Sequence, residues 1–109
     1  MKTKRITIEP VPGTGLAESK DDARRLREAE ILPALAANQL LELNFAKVEF
    51  ATQSFIHALI SDAIRAYGDE IFERITFSNC TDEVRQIVLT VFEYTMDASD
   101  ASEGLQPGK

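Results

Sequence analysis

Along this 109-residue chain, short stretches of alternating apolar and polar residues take turns with longer stretches in which apolar residues recur at helical spacing. Ile6-Thr7-Ile8 alternates, and Pro10, Pro12, Gly13 and Gly15 then stop the pattern, which predicts a first strand followed by a loop. Ser19 is a good helix N-cap, and Asp21 and Asp22 fall in the first turn, where the helix dipole favours negative charge. The helix runs through Ala23, Leu26 and Ala29 towards Ile31. Pro33, which has no backbone N–H and clashes with the preceding turn, kinks or ends it. Residues 35–38 add at most one more turn.

Residues 40–45 predict a second strand, with Leu41, Leu43 and Phe45 on one face and Leu40 on the other, a pattern that suits a strand largely covered on both sides. Lys47, Val48, Glu49 and Phe50 alternate in a short strand-like extension. Ile56, Leu59, Ile60, Ala63, Ile64 and Tyr67 then fall at i, i+3, i+4, i+7, i+8 and i+11, an amphipathic helix ended by Gly68. Ile75 and Phe77 alternate with Thr76 and Ser78 in a third strand. A turn at Asn79-Cys80-Thr81 follows, and Thr81 caps a last helix whose first turn carries Asp82 and Glu83. Val84, Ile87, Val88, Val91, Phe92 and Thr95 mark the buried face of that helix.

Strand and helix alternate three times, which predicts right-handed crossovers and an α/β domain: a small, mostly parallel sheet packed by about three helices. After Met96 the composition shifts to Ser, Asp, Gly, Gln and Pro, with Leu105 the one large apolar residue. The expected division is therefore a domain over residues 1–97 and a disordered tail over 98–109, which has too little apolar surface to offset the entropy of ordering.

Composition narrows the functional classes. Apolar residues make up 44% of the chain, enough for one core. Twelve basic against 18 acidic residues give a net charge of −6, which argues against holding nucleic acid through a general basic field and against an anionic membrane surface. No apolar run approaches the roughly 20 residues that span a bilayer, and the expected location is the cytoplasm. A single cysteine, Cys80, and a single histidine, His57, leave no intrachain disulfide and no His/Cys metal cluster; no cofactor or metal is expected.

Candidate chemistry is sparse. Gly13-Thr14-Gly15 follows the first strand, but Glu18 stands where a dinucleotide fingerprint needs its third glycine, and no Gly-Lys-Ser/Thr follows; a loop connector is the simpler reading. His57 shares a helical stripe with Gln53, Ser54 and Ser61, as either a partly exposed surface histidine or the base of a Ser/His nucleophilic pair. Cys80, just before a helix, is either a thiol of depressed pKa or a small half-buried hydrophobe. Asp62, Asp69, Glu70 and Glu73 read as a solvated rim. Thr52, Gln53 and Ser54 crowd a strand-to-helix turn, where free backbone N–H groups favour negative charge; the hydroxyls are either helix caps or acceptors of a regulatory phosphate.

Leu41-Glu42-Leu43-Asn44-Phe45-Ala46-Lys47-Val48, then Thr52-Gln53-Ser54-Phe55 at a helix start, then Ile75-Thr76-Phe77-Ser78-Asn79 and residues 84–87, together resemble the STAS-like domain family, small bacterial proteins related to the sulphate-transporter and anti-sigma-factor-antagonist domain. Arg24-Arg25-Leu26 fits that family's early arginine-containing helix, and the resemblance spans residues 5–97. It implies a non-enzymatic regulatory module that binds a protein partner, an ATP-dependent serine kinase of the histidine-kinase-like ATPase type, with phosphorylation at the helix start breaking the contact. Thr52 lies nearest the antagonists' phospho-acceptor position and Ser54 two residues on, with Gln53 and His57 as the contact rim. Ala51 stands where an aspartate usually precedes the acceptor, and Ser54 where a glycine usually follows. Two readings from other classes stand beside it: a small Ser/His-dependent enzyme using His57 with Ser54 or Ser61, and an oligomeric structural subunit such as a homodimer.

Overall fold

The computed structural model describes residues 3–103, with side chains to residue 97. The chain runs through β1 (Thr3–Thr7), β2 (Leu16–Ala17), α1 (Lys20–Leu26), a π-helical turn (Arg27–Ile31), α2 (Leu32–Ala36), β3 (Leu40–Asn44) and β4 (Phe50–Ala51). It continues through α3 (Gln53–Tyr67), a 3-10 turn (Gly68–Glu70), α4 (Ile71–Arg74), β5 (Ile75–Ser78) and α5 (Asp82–Glu103). The strands pair in the order β1-β3-β5, all parallel, and β2 pairs with β4 in a second, two-stranded parallel ladder. This is the expected α/β architecture.

Register decides which residues share a face. Ile6 lies opposite Leu43 and Leu43 opposite Phe77, and the buried Leu41 pairs with the buried Ile75. With sequential strand order, crossovers of one hand put every connecting helix on the same side, so this apolar face receives the helices. The other face carries Arg5, Glu42 and Thr76 in one row and Thr7, Asn44 and Ser78 in the next. There Ser78 Oγ donates to Glu42 Oε2 at 2.6 Å, and Arg5 Nε lies 3.4 Å from the same oxygen. The second strand is thus covered by helices on one side only, and its expected two-sided burial is corrected: a three-stranded sheet with all its helices on one face leaves the other to polar cross-strand pairs.

Local chemistry sets the element ends. Ser19 Oγ accepts the Asp22 N–H at 3.2 Å, as a cap should. Pro33 does not end its helix. The Leu32 N–H reaches back to the Arg27 carbonyl, and the chain takes one wider π turn just ahead of the proline before continuing as α2. A proline lacks the N–H its i−4 carbonyl would receive and crowds that carbonyl, and a π turn relieves both. α2 closes with Asn38 at φ 62°: its N–H bonds the Leu35 carbonyl, and the Gln39 N–H bonds the Ala34 carbonyl.

The loop between β1 and β2 is a built turn rather than a slack connector. Thr14 Oγ1 donates to the Val11 carbonyl at 2.7 Å and accepts the Leu16 N–H at 3.0 Å. Gly15, at φ 71°, lets Glu49 approach so closely that a Cβ there would lie 3.1 Å from its side chain. At the far end, helix α5 continues through residues 98–103, past the tail boundary expected after residue 97; the rest of that tail, 104–109, lies outside the described residues. Among the described residues, no helix is long and apolar enough to cross a membrane.

Candidate functional site at two adjacent helix starts

The β2–β4 ladder organises the site. Ala17 pairs with Ala51, and the Thr52 N–H donates to the Ala17 carbonyl at 3.0 Å. Helix α1 starts three residues after Ala17 and α3 two residues after Ala51, so the two helices begin side by side and α1 packs on α3. Both positive dipole ends lie at the same end of the molecule, each with one first-turn N–H taken by its cap, Ser19 or Thr52.

Thr52 and Ser54 have different environments. Thr52 is half-buried, and its Oγ1 accepts the Phe55 N–H at 3.1 Å: it is the N-cap of α3. Ser54 and Gln53 are exposed. Of the two candidate acceptors, Ser54 is the freely accessible hydroxyl.

A cleft of about 790 Å³ opens along α1, α3 and α5. Gln53, Ser54, His57 and Ser61 line it from α3, and Tyr94 closes it from α5, edge-on to the His57 ring at 6.4 Å between centroids. The sequence stripe built on His57 therefore does converge on one cleft. Its other wall carries Lys20, Arg24 and Arg27, joined by Arg65 from α3, of which only Arg24 was singled out in the sequence, and not as a site residue. Their spacing along one helix, i, i+4 and i+7, was the available signal.

Arg27, on the π turn, forms part of the floor. Its Nη1 donates to the Ala58 carbonyl at 3.3 Å and its Nη2 to Glu28 Oε2 at 2.8 Å, while its Nε lies 3.5 Å from Asp62 Oδ2 without a hydrogen-bond alignment. Asp62 also receives Arg65 at 2.7 Å. Of the expected acidic rim, Asp62 and Glu70 are held by arginines, Glu70 by Arg74 at 3.0 Å, while Asp69 and Glu73 are exposed.

The cleft contains the residues of a Ser/His pair, but among the described residues no hydrogen bond joins His57 to Ser54, to Ser61 or to an orienting carboxylate. Cys80 is no activated thiol. Burial pushes its pKa above the ordinary range, outweighing the opposite pull of Arg85, and it borders a separate apolar cavity of about 310 Å³ with Phe72, Phe77 and Leu89.

The motif asparagines have a structural task. Asn44 Oδ1 accepts both the Ala46 N–H at 3.1 Å and Asn79 Nδ2 at 2.7 Å, tying together the C-terminal ends of β3 and β5. Asn79 itself holds φ 57°, a left-handed backbone that asparagine tolerates better than most residues. Thr81 Oγ1 donates to the Glu49 carbonyl at 2.9 Å and accepts the Val84 N–H at 3.1 Å, so the cap of α5 also anchors the segment leading into β4.

No curated protein and no solved structure matches the chain. The family model described as a STAS-like domain of unknown function (DUF4325) matches residues 22–85, from the first turn of α1 to the first turn of α5, and so takes in β3, β4, α3 and β5 with both ends of the cleft's α3 wall. With β3 and β5 of the parallel sheet, the capped start of α3 and the Asn44–Asn79 tie inside that span, the chain belongs to the family of STAS-like domains of unknown function.

Proposed function

We propose that this protein is a non-enzymatic regulatory interaction module of the bacterial cytoplasm, docking a protein partner at the start of α3 and released by phosphorylation of Ser54. The observation that carries the reading is the exposed Ser54 hydroxyl in the first turn of α3, inside a cleft, beside a Thr52 whose hydroxyl is occupied as the cap. The resemblance to anti-sigma-factor antagonists supplies the partner class, an ATP-dependent serine kinase of the histidine-kinase-like ATPase type. In the switching step Ser54 Oγ bonds to the γ-phosphorus of ATP, the bond to the β-γ bridging oxygen breaks, ADP leaves, and the hydroxyl proton passes to a base of the kinase. The product adds roughly −1.5 to −2 charges where helix N-termini and nearby cations stabilise it.

Calorimetry against such an ATPase from the same genome tests the reading. Ser54→Glu is expected to keep the wild-type melting temperature and weaken binding about tenfold or more, the size of effect that charge placed in a complementary interface produces. Wild-type binding by both Thr52→Glu and Ser54→Glu would remove the switch. The enzyme alternative draws on the same cleft through His57; ester hydrolysis that disappears in His57→Ala would favour it instead.

A further inference from the structure

We infer that the cleft between α1 and α3 holds an acidic peptide segment of its partner, with Lys20, Arg24 and Arg65 as the side chains that recognise it. The inference rests on the reading of this cleft as the docking surface and adds the chemistry of what docks there. Four cationic side chains line the cleft against one carboxylate, Asp62, in a chain whose net charge is −6. Asp21 and Glu28 meet Arg24 and Arg27 at the rim, at 3.4 and 2.8 Å, which leaves Lys20 as the cleft cation without an ion-pair partner among the described residues; negative charge farther off than about 8 Å is screened at physiological salt. The N-terminus of α3, with no acidic residue in its first turn, reinforces it at one end.

The geometry selects among anions. Lys20, Arg24 and Arg27 occupy one stripe that spans seven residue steps, roughly 10 Å at the helical rise of 1.5 Å per residue. A single phosphate is best held by donors converging on one point; a row of cations along an open cleft suits a row of carboxylates. Arg27 is engaged with Ala58 and Glu28, and Arg65 with Asp62 at 2.7 Å from a half-exposed position, whereas Lys20 has no carboxylate within ion-pair distance among the described residues, and Arg24 meets only the exposed Asp21 at 3.4 Å. A long nucleic-acid backbone would extend beyond the cleft onto the acidic remainder of the surface.

Titration of the isotope-labelled full chain with a hexaglutamate peptide, followed by amide chemical shifts and by fluorescence anisotropy of the labelled peptide, tests the inference. Expected are shifts confined to α1 and α3, affinity that falls with added salt, and a loss of about tenfold or more in Lys20→Glu/Arg24→Glu and in Arg65→Ala, each with wild-type amide dispersion. The remote variant Lys47→Glu is expected to bind like the parent. Absence of binding, equal binding by the charge-reversed variant, shifts spread outside the cleft, saturation by inorganic phosphate in place of peptide, or equal affinity for single-stranded DNA would each overturn it. Loss of the peptide site with a Ser54-sensitive ATPase contact intact would sink this inference alone; peptide binding with an ATPase indifferent to Ser54 would sink the switch alone.

Discussion

Two positions separate Thr52 from Ser54, and a helix start treats them differently because the N-cap oxygen curls back onto the N–H three residues on, while a side chain at the second helical position projects outward. Thr52 accordingly meets the Phe55 N–H and Ser54 meets solvent. Thr52→Ala is expected to cost about 1 kcal/mol of stability, and Ser54→Ala close to nothing, by urea denaturation with an unchanged slope. Equal losses would mean that Ser54 shares the capping. A hydroxyl cluster before a helical stripe is legible in sequence; which oxygen caps is decided by backbone angles, here φ −73° and ψ 156° at Thr52. The same holds for Asn44 and Asn79, whose mutual bond joins residues 35 apart in the chain.

Helix α3 is the element most completely legible in the sequence. Ile56, Leu59, Ile60, Ala63 and Ile64 are all buried at 1% exposure or less, as their spacing requires. Ile60→Asp is expected to destabilise the domain by about 4 kcal/mol or to prevent folding, because it forces an unpaired carboxylate into the core, whereas His57→Ala on the cleft side is mild. Equal melting temperatures for the two variants would reverse the assignment of faces. The α1–α2 segment was only half legible. Pro33 announces a disturbance, yet the response it draws, a π turn one residue earlier with Arg27 turned toward α3, depends on what the helix packs against. The β2–β4 ladder was not legible at all as a pairing, because strands of two residues carry no period to read.

Across the whole molecule, β3 is the central strand, paired on both sides, and its residues Leu41 and Leu43 are fully covered, while β2 and β4 meet through only two residues each. Amide hydrogen exchange is expected to be slowest in β3 and the buried stripe of α3, limited by global unfolding, and faster in β2 and β4 by local opening. Exchange from β2 at the rate of β3 would show instead that the small ladder belongs to the same cooperative unit. The alternation of strands and helices, and with it the α/β class, is written in apolar spacings of two or of 3.6 residues, which are local information, and the acidic overall charge follows from composition. Packing brought α1 and α3 to start side by side, placed Lys20, Arg24, Arg27 and Arg65 in a cleft with Ser54 and His57, and left one face of the sheet free of helices. Those are relations between residues tens of positions apart, set by which surfaces pack together, and the periodicity of a single element does not encode them.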